Sequence, residues 1–274
     1  MSCEKVSFDL IFFDFAPFLT TNLPRTNANS RQAGVKEADI MFDNGDAALP
    51  ARKIYKRGDQ KKVNQIAGAK MAGVQQTESM NESNVVMAGA IDPRVAIVKA
   101  QPSTFDLNTG RQFSTRKDAQ ETGKSGGYKP RIYTPDVLFK LVSGAEVFIE
   151  AKHTKWLERR PEYFDDLQSF GEMGHRILLV TEQTFTTALV RNIRMLKPYV
   201  DRVPTEQQVR SLRSAVHRPI KVADMMSTAG LTQADLMVGI AHGLVRFDMR
   251  AGVLGPRTVV EPAHEKSCLE ILDL

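Results

Sequence analysis

Tyr133-Thr134-Pro135-Asp136-Val137-Leu138-Phe139-Lys140-Leu141-Val142-Ser143-Gly144-Ala145-Glu146-Val147-Phe148-Ile149-Glu150-Ala151-Lys152 is the stretch on which the reading of this chain turns. Two runs rich in β-branched and aromatic residues flank Ser143-Gly144, the pattern of a hairpin with a tight turn. Strand side chains alternate between faces, so Glu150 and Lys152 project to one side while Ala151 points into the core. Asp136 opens the partner strand and falls opposite them. Two carboxylates placed in this way can grip one hard cation, and oxygen ligands are what Mg²⁺ demands. Beside a phosphodiester such a cation activates water and neutralises phosphoryl charge, while Lys152 would orient the attacking water or stabilise the transition state. Taken alone, an Asp after Pro and a Glu-x-Lys on a strand also occur as turn and cross-strand ion-pair residues.

Upstream, apolar positions from Thr77 to about Ala88 predict a helix, and Asp92-Pro93 ends it. Strands are predicted at Val95–Val98 and near Ser103 to Leu107. Residues 110–130, dense in Gly, Lys, Ser and Thr, read as a long mobile loop. Downstream, Tyr163, Leu167 and Phe170 are spaced as on an amphipathic helix over 161–173, with Gly174 at its C-terminal end. Ile177-Leu178-Leu179-Val180 has the composition of a buried strand, and a helix is expected over 184–196. After a break at Pro198 to Pro204, short helices are expected at 205–216, 222–227 and 232–242, the last capped by Thr232, with a strand at 244–248. Three short helices and a β-wing suggest a winged helix-turn-helix. The expected class is therefore α/β: a flexible arm at 1–48, a mixed sheet flanked by helices at 49–200, and a winged-helix domain at 201–274.

The motifs Glu78-Ser79-Met80-Asn81-Glu82, Asp92-Pro93-Arg94-Val95, Gln101-Pro102, Tyr133-Thr134-Pro135-Asp136 and Glu150-Ala151-Lys152 occur in the order of a restriction-endonuclease-like, PD-(D/E)xK core. Together with Ala51-Arg52-Lys53-Ile54, the helix at 160–174, the strand at 176–181 with Glu182, and Leu189-Val190-Arg191-Asn192, residues 50 to 270 resemble the TnsA-like endonuclease subunit of heteromeric cut-and-paste transposases. The resemblance implies a Mg²⁺- or Mn²⁺-dependent endonuclease that nicks the 5′ side of transposon-end DNA. A DDE-type transposase subunit would cut and join the 3′ side, and an AAA+ ATPase regulator of the TnsC type would dock on the C-terminal domain. It also implies a metal site of Glu82, Asp136 and Glu150, with Lys152 as catalytic lysine and Gln101 as a nearby support residue. Glu78 is the alternative to Glu82 as the helical acid. The 110–130 insertion is longer than the resemblance implies.

Thirty-seven Lys and Arg against 32 Asp and Glu leave a net charge of +5 in 274 residues, a mild bias towards a polyanionic partner. Arg52-Lys53-Ile54-Tyr55-Lys56-Arg57 and Lys61-Lys62 could touch phosphates, and Lys155 is a weaker candidate for the DNA backbone. Cys3 and Cys268 form neither a disulfide framework nor a zinc knuckle, which suits a cytoplasmic setting. Asp9 and Asp14 bracket Leu10-Ile11-Phe12-Phe13 and deny it the character of a signal peptide, and no stretch reaches the roughly 20 apolar residues of a membrane span. Gly123-Lys124-Ser125-Gly126 lacks the upstream glycine of a nucleotide-binding loop. His153 should turn away from the carboxylates by alternation, and Trp156 with Leu157 reads as core. Two rival functions stand beside the first: a restriction or repair nuclease that cuts without partners, and a non-catalytic adaptor that binds DNA or protein.

Overall fold

The computed structural model describes residues 11–12, 63–263, 269 and 271–274. The rest of the 1–48 arm and the basic runs at 52–57 and 61–62 lie outside the described residues. Strand β1 (Ile11–Phe12) and the small hairpin β2 (Asn64–Ile66) and β3 (Gln75–Thr77) precede helix α1 (Met80–Ile91) and strands β4 (Val95–Ala100) and β5 (Thr104–Asp106). Strand β6 (Arg111–Phe113), helix α2 (Arg116–Ser125) and strand β7 (Ile132–Tyr133) lead into the hairpin β8 (Val137–Leu141) and β9 (Glu146–Ala151). Then come α3 (Thr154–Glu158), α4 (Tyr163–Glu172), β10 (Ile177–Val180), α5 (Thr187–Leu196) and a 3₁₀ turn (Lys197–Tyr199). The chain continues as α6 (Glu206–Ala215), β11 (Ile220–Lys221), α7 (Val222–Ala229), α8 (Gln233–Ala241), β12 (Val245–Arg246) and β13 (Val259–Pro262).

These elements make a mixed α/β structure with several sheets. The principal sheet has the order β1-β10-β9-β8-β4, with β9 and β10 parallel and the other pairs antiparallel. Alternation along β9 decides what lies on each face. Val147 and Ile149 join one apolar cluster with Val85, Val98, Phe139 and Ile193, whereas Phe148 joins Phe105, Leu167 and Phe170 in the other. Neighbouring β10 divides in the same way, sending Leu178 and Val180 to the first cluster and Ile177 and Leu179 to the second. Helices therefore lie on both faces of the sheet, α1 against the hairpin on one with α5 packed beside it, and α4 on the other against β10 and Phe148. The first cluster runs on into α6, α7 and α8. Asn192 of α5 reinforces this junction: its Nδ2 donates to the carbonyls of Met249 (2.9 Å) and Gly252 (2.8 Å), and its Oδ1 accepts from Leu254 N (2.9 Å). No helix among the described residues is long and apolar enough to cross a membrane.

Residues 110–130 depart from the expected mobile loop. They form β6 and α2, and the helix starts with a capping box: Thr115 Oγ1 accepts from Asp118 N (3.1 Å) while Asp118 Oδ2 accepts from Thr115 N (3.1 Å). Only Ala119 gives α2 an apolar buried side chain, so its sequence carries no hydrophobic period to read. Beside it, Gly123 is needed for space, because a Cβ there would come 2.4 Å from Pro130 Cδ. A second departure lies at Ile11–Phe12, which pairs with Leu178 and Leu179 at the sheet edge instead of belonging to an irregular arm. The strand expected at 244–248 is shortened to Val245–Arg246, and Lys152 lies one residue beyond the end of β9.

Gly89 sets how closely α1 approaches the sheet. A Cβ added there would meet Phe139 Cε1 at 2.4 Å and Val98 Cγ2 at 2.9 Å, and both side chains are fully buried. Helix propensity alone favours alanine over glycine by about 1 kcal/mol. Overpacking acts against it, so Gly89→Ala is expected to destabilise the protein by about 1–3 kcal/mol. Chemical denaturation measures the outcome, and an unchanged or raised unfolding midpoint would contradict this seating of α1.

Candidate active site

In the β8–β9 ladder Val137 faces Ile149, so the next pair outward sets Asp136 level with Glu150. Two bonds then lock the aspartate in place: Ala151 N donates to its Oδ2 (3.0 Å), and Gln101 N donates to its backbone carbonyl (2.8 Å). Lys152 Nζ donates to the same Oδ2 (2.8 Å) and forms a second, closer ion pair with Glu150 Oε1. The backbone of Lys152 remains attached to the sheet through Val180 O (3.0 Å). The lysine chain end passes over the rings of Trp156 (5.8 Å) and Tyr163 (5.7 Å), a cation–π cradle made by the short helix and turn that follow β9. Asp136 and Glu150 are buried, whereas the Lys152 side chain keeps 22% of its surface open.

Two tyrosines hold the glutamate. Tyr133 OH donates to Glu150 Oε2 (2.8 Å) and Tyr163 OH donates to Oε1 (2.5 Å). Sequence reasoning had Tyr133 inside the motif without a role and placed Tyr163 on the apolar face of a helix. The available signal was their hydroxyls, since a buried tyrosine ordinarily finds a hydrogen-bond partner for its polar end.

Of the remaining predicted residues, Glu82 sits in the first turn of α1, whose cap Ser79 accepts from Glu82 N (3.1 Å). Its carboxylate accepts from Glu78 N (2.9 Å) and is buried close enough to act on Asp136 electrostatically. Gln101 is buried beside the site at φ 45°, where it is the one non-glycine residue with positive φ among those described, and its Oε1 has no hydrogen-bond partner. Such backbone is costly for a residue with a side chain, by about 1–3 kcal/mol. Lys155 is exposed on α3 and is not gathered with the carboxylates. His153 caps that helix, its Nδ1 accepting from Lys155 N (3.2 Å) and lying 3.4 Å from Glu182 Oε1, so its ring is engaged away from Asp136 and Glu150.

Charge states follow from these contacts. Burial, then the Glu150 charge, pushes Asp136 well above the ordinary carboxylate range; Lys152 eases the shift and Glu82 adds to it. Burial works against Glu150 too, yet Lys152 and the hydroxyls of Tyr163 and Tyr133 outweigh it and hold the glutamate below its usual value. Lys152 is raised, because Glu150 and Asp136 overcome its desolvation. The two carboxylates are thus pushed in opposite directions, Glu150 towards the ionised form and Asp136 towards the protonated one.

Two carboxylates bonded to one ammonium, with Glu82 within electrostatic range of Asp136, leave this buried corner with surplus negative charge, which burial makes expensive. Among the described residues no three His, Cys, Asp or Glu side chains converge as a ready-made metal cage. The donor chemistry nevertheless suits a hard divalent cation, with carboxylate oxygens from Asp136 and Glu150 and Glu82 within electrostatic range. No family model and no curated protein matches this chain.

A raised native pKa means that the stability Asp136 contributes is complete in acid and is lost as pH rises through that raised value. Glu150 behaves oppositely and loses its contribution only on acidification. Asp136→Asn, which cannot ionise, is therefore expected to melt higher than the wild type in chelator at neutral pH, by about 2–4 °C per kcal/mol gained for a chain of this size. The difference should shrink as pH falls towards the ordinary carboxylate range. Thermal melts across pH check this, and a difference independent of pH would contradict the upward shift of Asp136.

Proposed function

We propose that this chain is a divalent-metal-dependent DNA endonuclease, with a restriction-endonuclease-like core followed by a winged-helix module. The observation that carries the reading is the convergence of Asp136, Glu150 and Lys152 at the end of one hairpin, with the ammonium bonded to both carboxylates. Mg²⁺ or Mn²⁺ held by Asp136 and Glu150, with Glu82 completing the charge, would supply Lewis-acid activation of water and neutralisation of phosphoryl charge.

The chain's own groups contribute the rest. Lys152 keeps part of its surface open, so its ammonium can donate to a phosphoryl oxygen or orient a water while staying tethered to Glu150. Ala151 N and Lys152 together fix one oxygen of Asp136, leaving the other available to a ligand. The two tyrosine hydroxyls favour the ionised form of Glu150 and hold it in one orientation, as the outer partners of a metal-binding carboxylate do. Gln101 acts as a support residue through the backbone of Asp136.

Motif order extends the proposal to biology. By its resemblance to the TnsA-like subunits, the protein would nick the 5′ side of transposon ends in the cytoplasm, alongside a DDE-type transposase and an AAA+ regulator. In a reconstituted mixture with transposon-end DNA and Mg²⁺, Asp136→Ala or Lys152→Ala is expected to reduce 5′ nicking by at least about 10²-fold while the partner's 3′ cutting continues. Nicking that survives both substitutions would overturn the assignment, and cleavage without partners would point to the restriction or repair class. Tyr163→Phe removes one donor from Glu150 and is expected to raise the Mg²⁺ concentration needed for half-maximal nicking by about 10- to 100-fold. A Mg²⁺ titration that superimposes on the wild type would remove the tyrosine from the site.

A further inference from the structure

The C-terminal module has, in the reading position, a helix that lacks the surface of a DNA reader. Its third helix, α8, is the element that a helix-turn-helix would lay in the major groove. It contains no Lys or Arg, and Leu236 to Ala241 are six consecutive buried residues, packed between α5, α6 and the 3₁₀ turn. A helix covered in this way cannot track a phosphate backbone, so a grip on DNA needs cations outside α8.

The excursion from Leu107 to Pro130 offers it. Five Lys and Arg stand there against two acidic residues, giving more than half of the chain's net charge of +5. Lys117 pairs with Glu121 (3.5 Å), but Arg111, Arg116, Lys124 and Lys129 are exposed and form no ion pair among the described residues. The excursion is anchored at its base. Asp106, fully buried, accepts from Thr109 Oγ1 (2.8 Å), Tyr128 OH (2.8 Å) and Arg131 N (3.0 Å), so one carboxylate clamps the way out and the way back. Arg131 Nε then donates to Asp166 of α4 (2.7 Å). The returning strand delivers Tyr133, and α4 begins with Tyr163, so the two residues that hold Glu150 are fixed to the same base.

We infer that β6 and α2 form a rigid basic arm whose exposed cations, Arg111, Arg116, Lys124 and Lys129, hold the phosphate backbone of duplex DNA beside the site of strand cleavage. This rests on the nuclease reading and adds to it a surface that the motifs do not contain. The charge is complementary to DNA, and a fixed base lets the arm grip without the entropy cost of ordering a loop. The anchors also give it consequence for the chemistry, since backbone contacts set the register of the duplex on the protein.

The test replaces the four cations together with glutamine in the full-length protein, with a control variant that neutralises Arg210, Arg213, Arg218 and Lys221 on the C-terminal module. Binding of a fluorescent duplex is followed by anisotropy in Ca²⁺ over a salt series, and melting curves confirm folding. The arm variant is expected to bind roughly 10-fold or more weaker at near-physiological salt, with the slope of log K against log salt flatter by about 2 to 4. An arm variant indistinguishable from the wild type overturns the arm and leaves the nuclease reading standing. Equal losses in both variants also overturn it, because net charge rather than place would then govern binding. A wild-type protein that neither binds nor nicks duplex DNA removes the nuclease reading and the arm together.

Discussion

A lysine ammonium held between two buried carboxylates is the constraint around which this protein is arranged. Burying an ion pair rarely stabilises a fold, because desolvation offsets most of the attraction. Here the arithmetic is less favourable still, with Asp136 and Glu150 sharing one Lys152 and the charge of Glu82 acting on Asp136 as well. The fold responds by supplying donors. Glu150 receives two phenolic hydroxyls, Asp136 receives the Ala151 amide, and the remaining excess is relieved by raising the Asp136 pKa. A core built for stability alone would fill this corner with apolar side chains. Retaining so much charge there is what marks it as a site.

The surroundings explain how such a corner can be held still. β9 is sandwiched: its odd-numbered residues Val147 and Ile149 pack under α1 and α5, and Phe148 packs on the opposite face against Phe170 of α4 (5.1 Å). Both layers have a second duty. α1 brings Glu82, α4 brings Tyr163, and β7 brings Tyr133 to the same place. The hydrophobic effect is not directional, but applied to both faces of one strand it leaves the adjoining polar residues no freedom to drift. The extra ties at Asn192 and Gly89 follow the same logic, one closing the C-terminal module onto α5 and the other letting α1 approach the sheet.

Much of this was legible in the chain. Alternation through Val137 to Ala151 specified the hairpin, its turn and the approach of Asp136 to Glu150 and Lys152, because a period of two is hard to satisfy otherwise. Helix α4 followed from its apolar spacing and its Gly174 end, and α1 from its apolar positions and the Asp92-Pro93 stop. The 110–130 segment escaped for a physical reason. A helix that exposes nearly every side chain has no period, and its Thr115–Asp118 capping box is too short a signal to stand out among Gly, Ser and Lys. Tyr133 and Tyr163 were hidden differently, since an aromatic at a core position satisfies the pattern whether or not its hydroxyl has work to do. What each hydroxyl meets depends on contacts across the fold, thirteen to seventeen residues away in sequence.

The misread segment is also the one that changes the functional picture most. A flexible basic loop would attract DNA through charge yet order itself only on binding, losing part of that attraction to conformational entropy. Anchoring both ends of the excursion on Asp106 and Arg131 would remove that loss in advance of the proposed binding. The same anchors run through α4 to Tyr163 and through β7 to Tyr133, so the surface proposed to hold the backbone and the hydroxyls that hold Glu150 share one rigid base. On that proposal, phosphate held by the arm and the carboxylates at the hairpin would stand in a fixed relation, which is the positional requirement for cleaving one chosen bond in a uniform polymer.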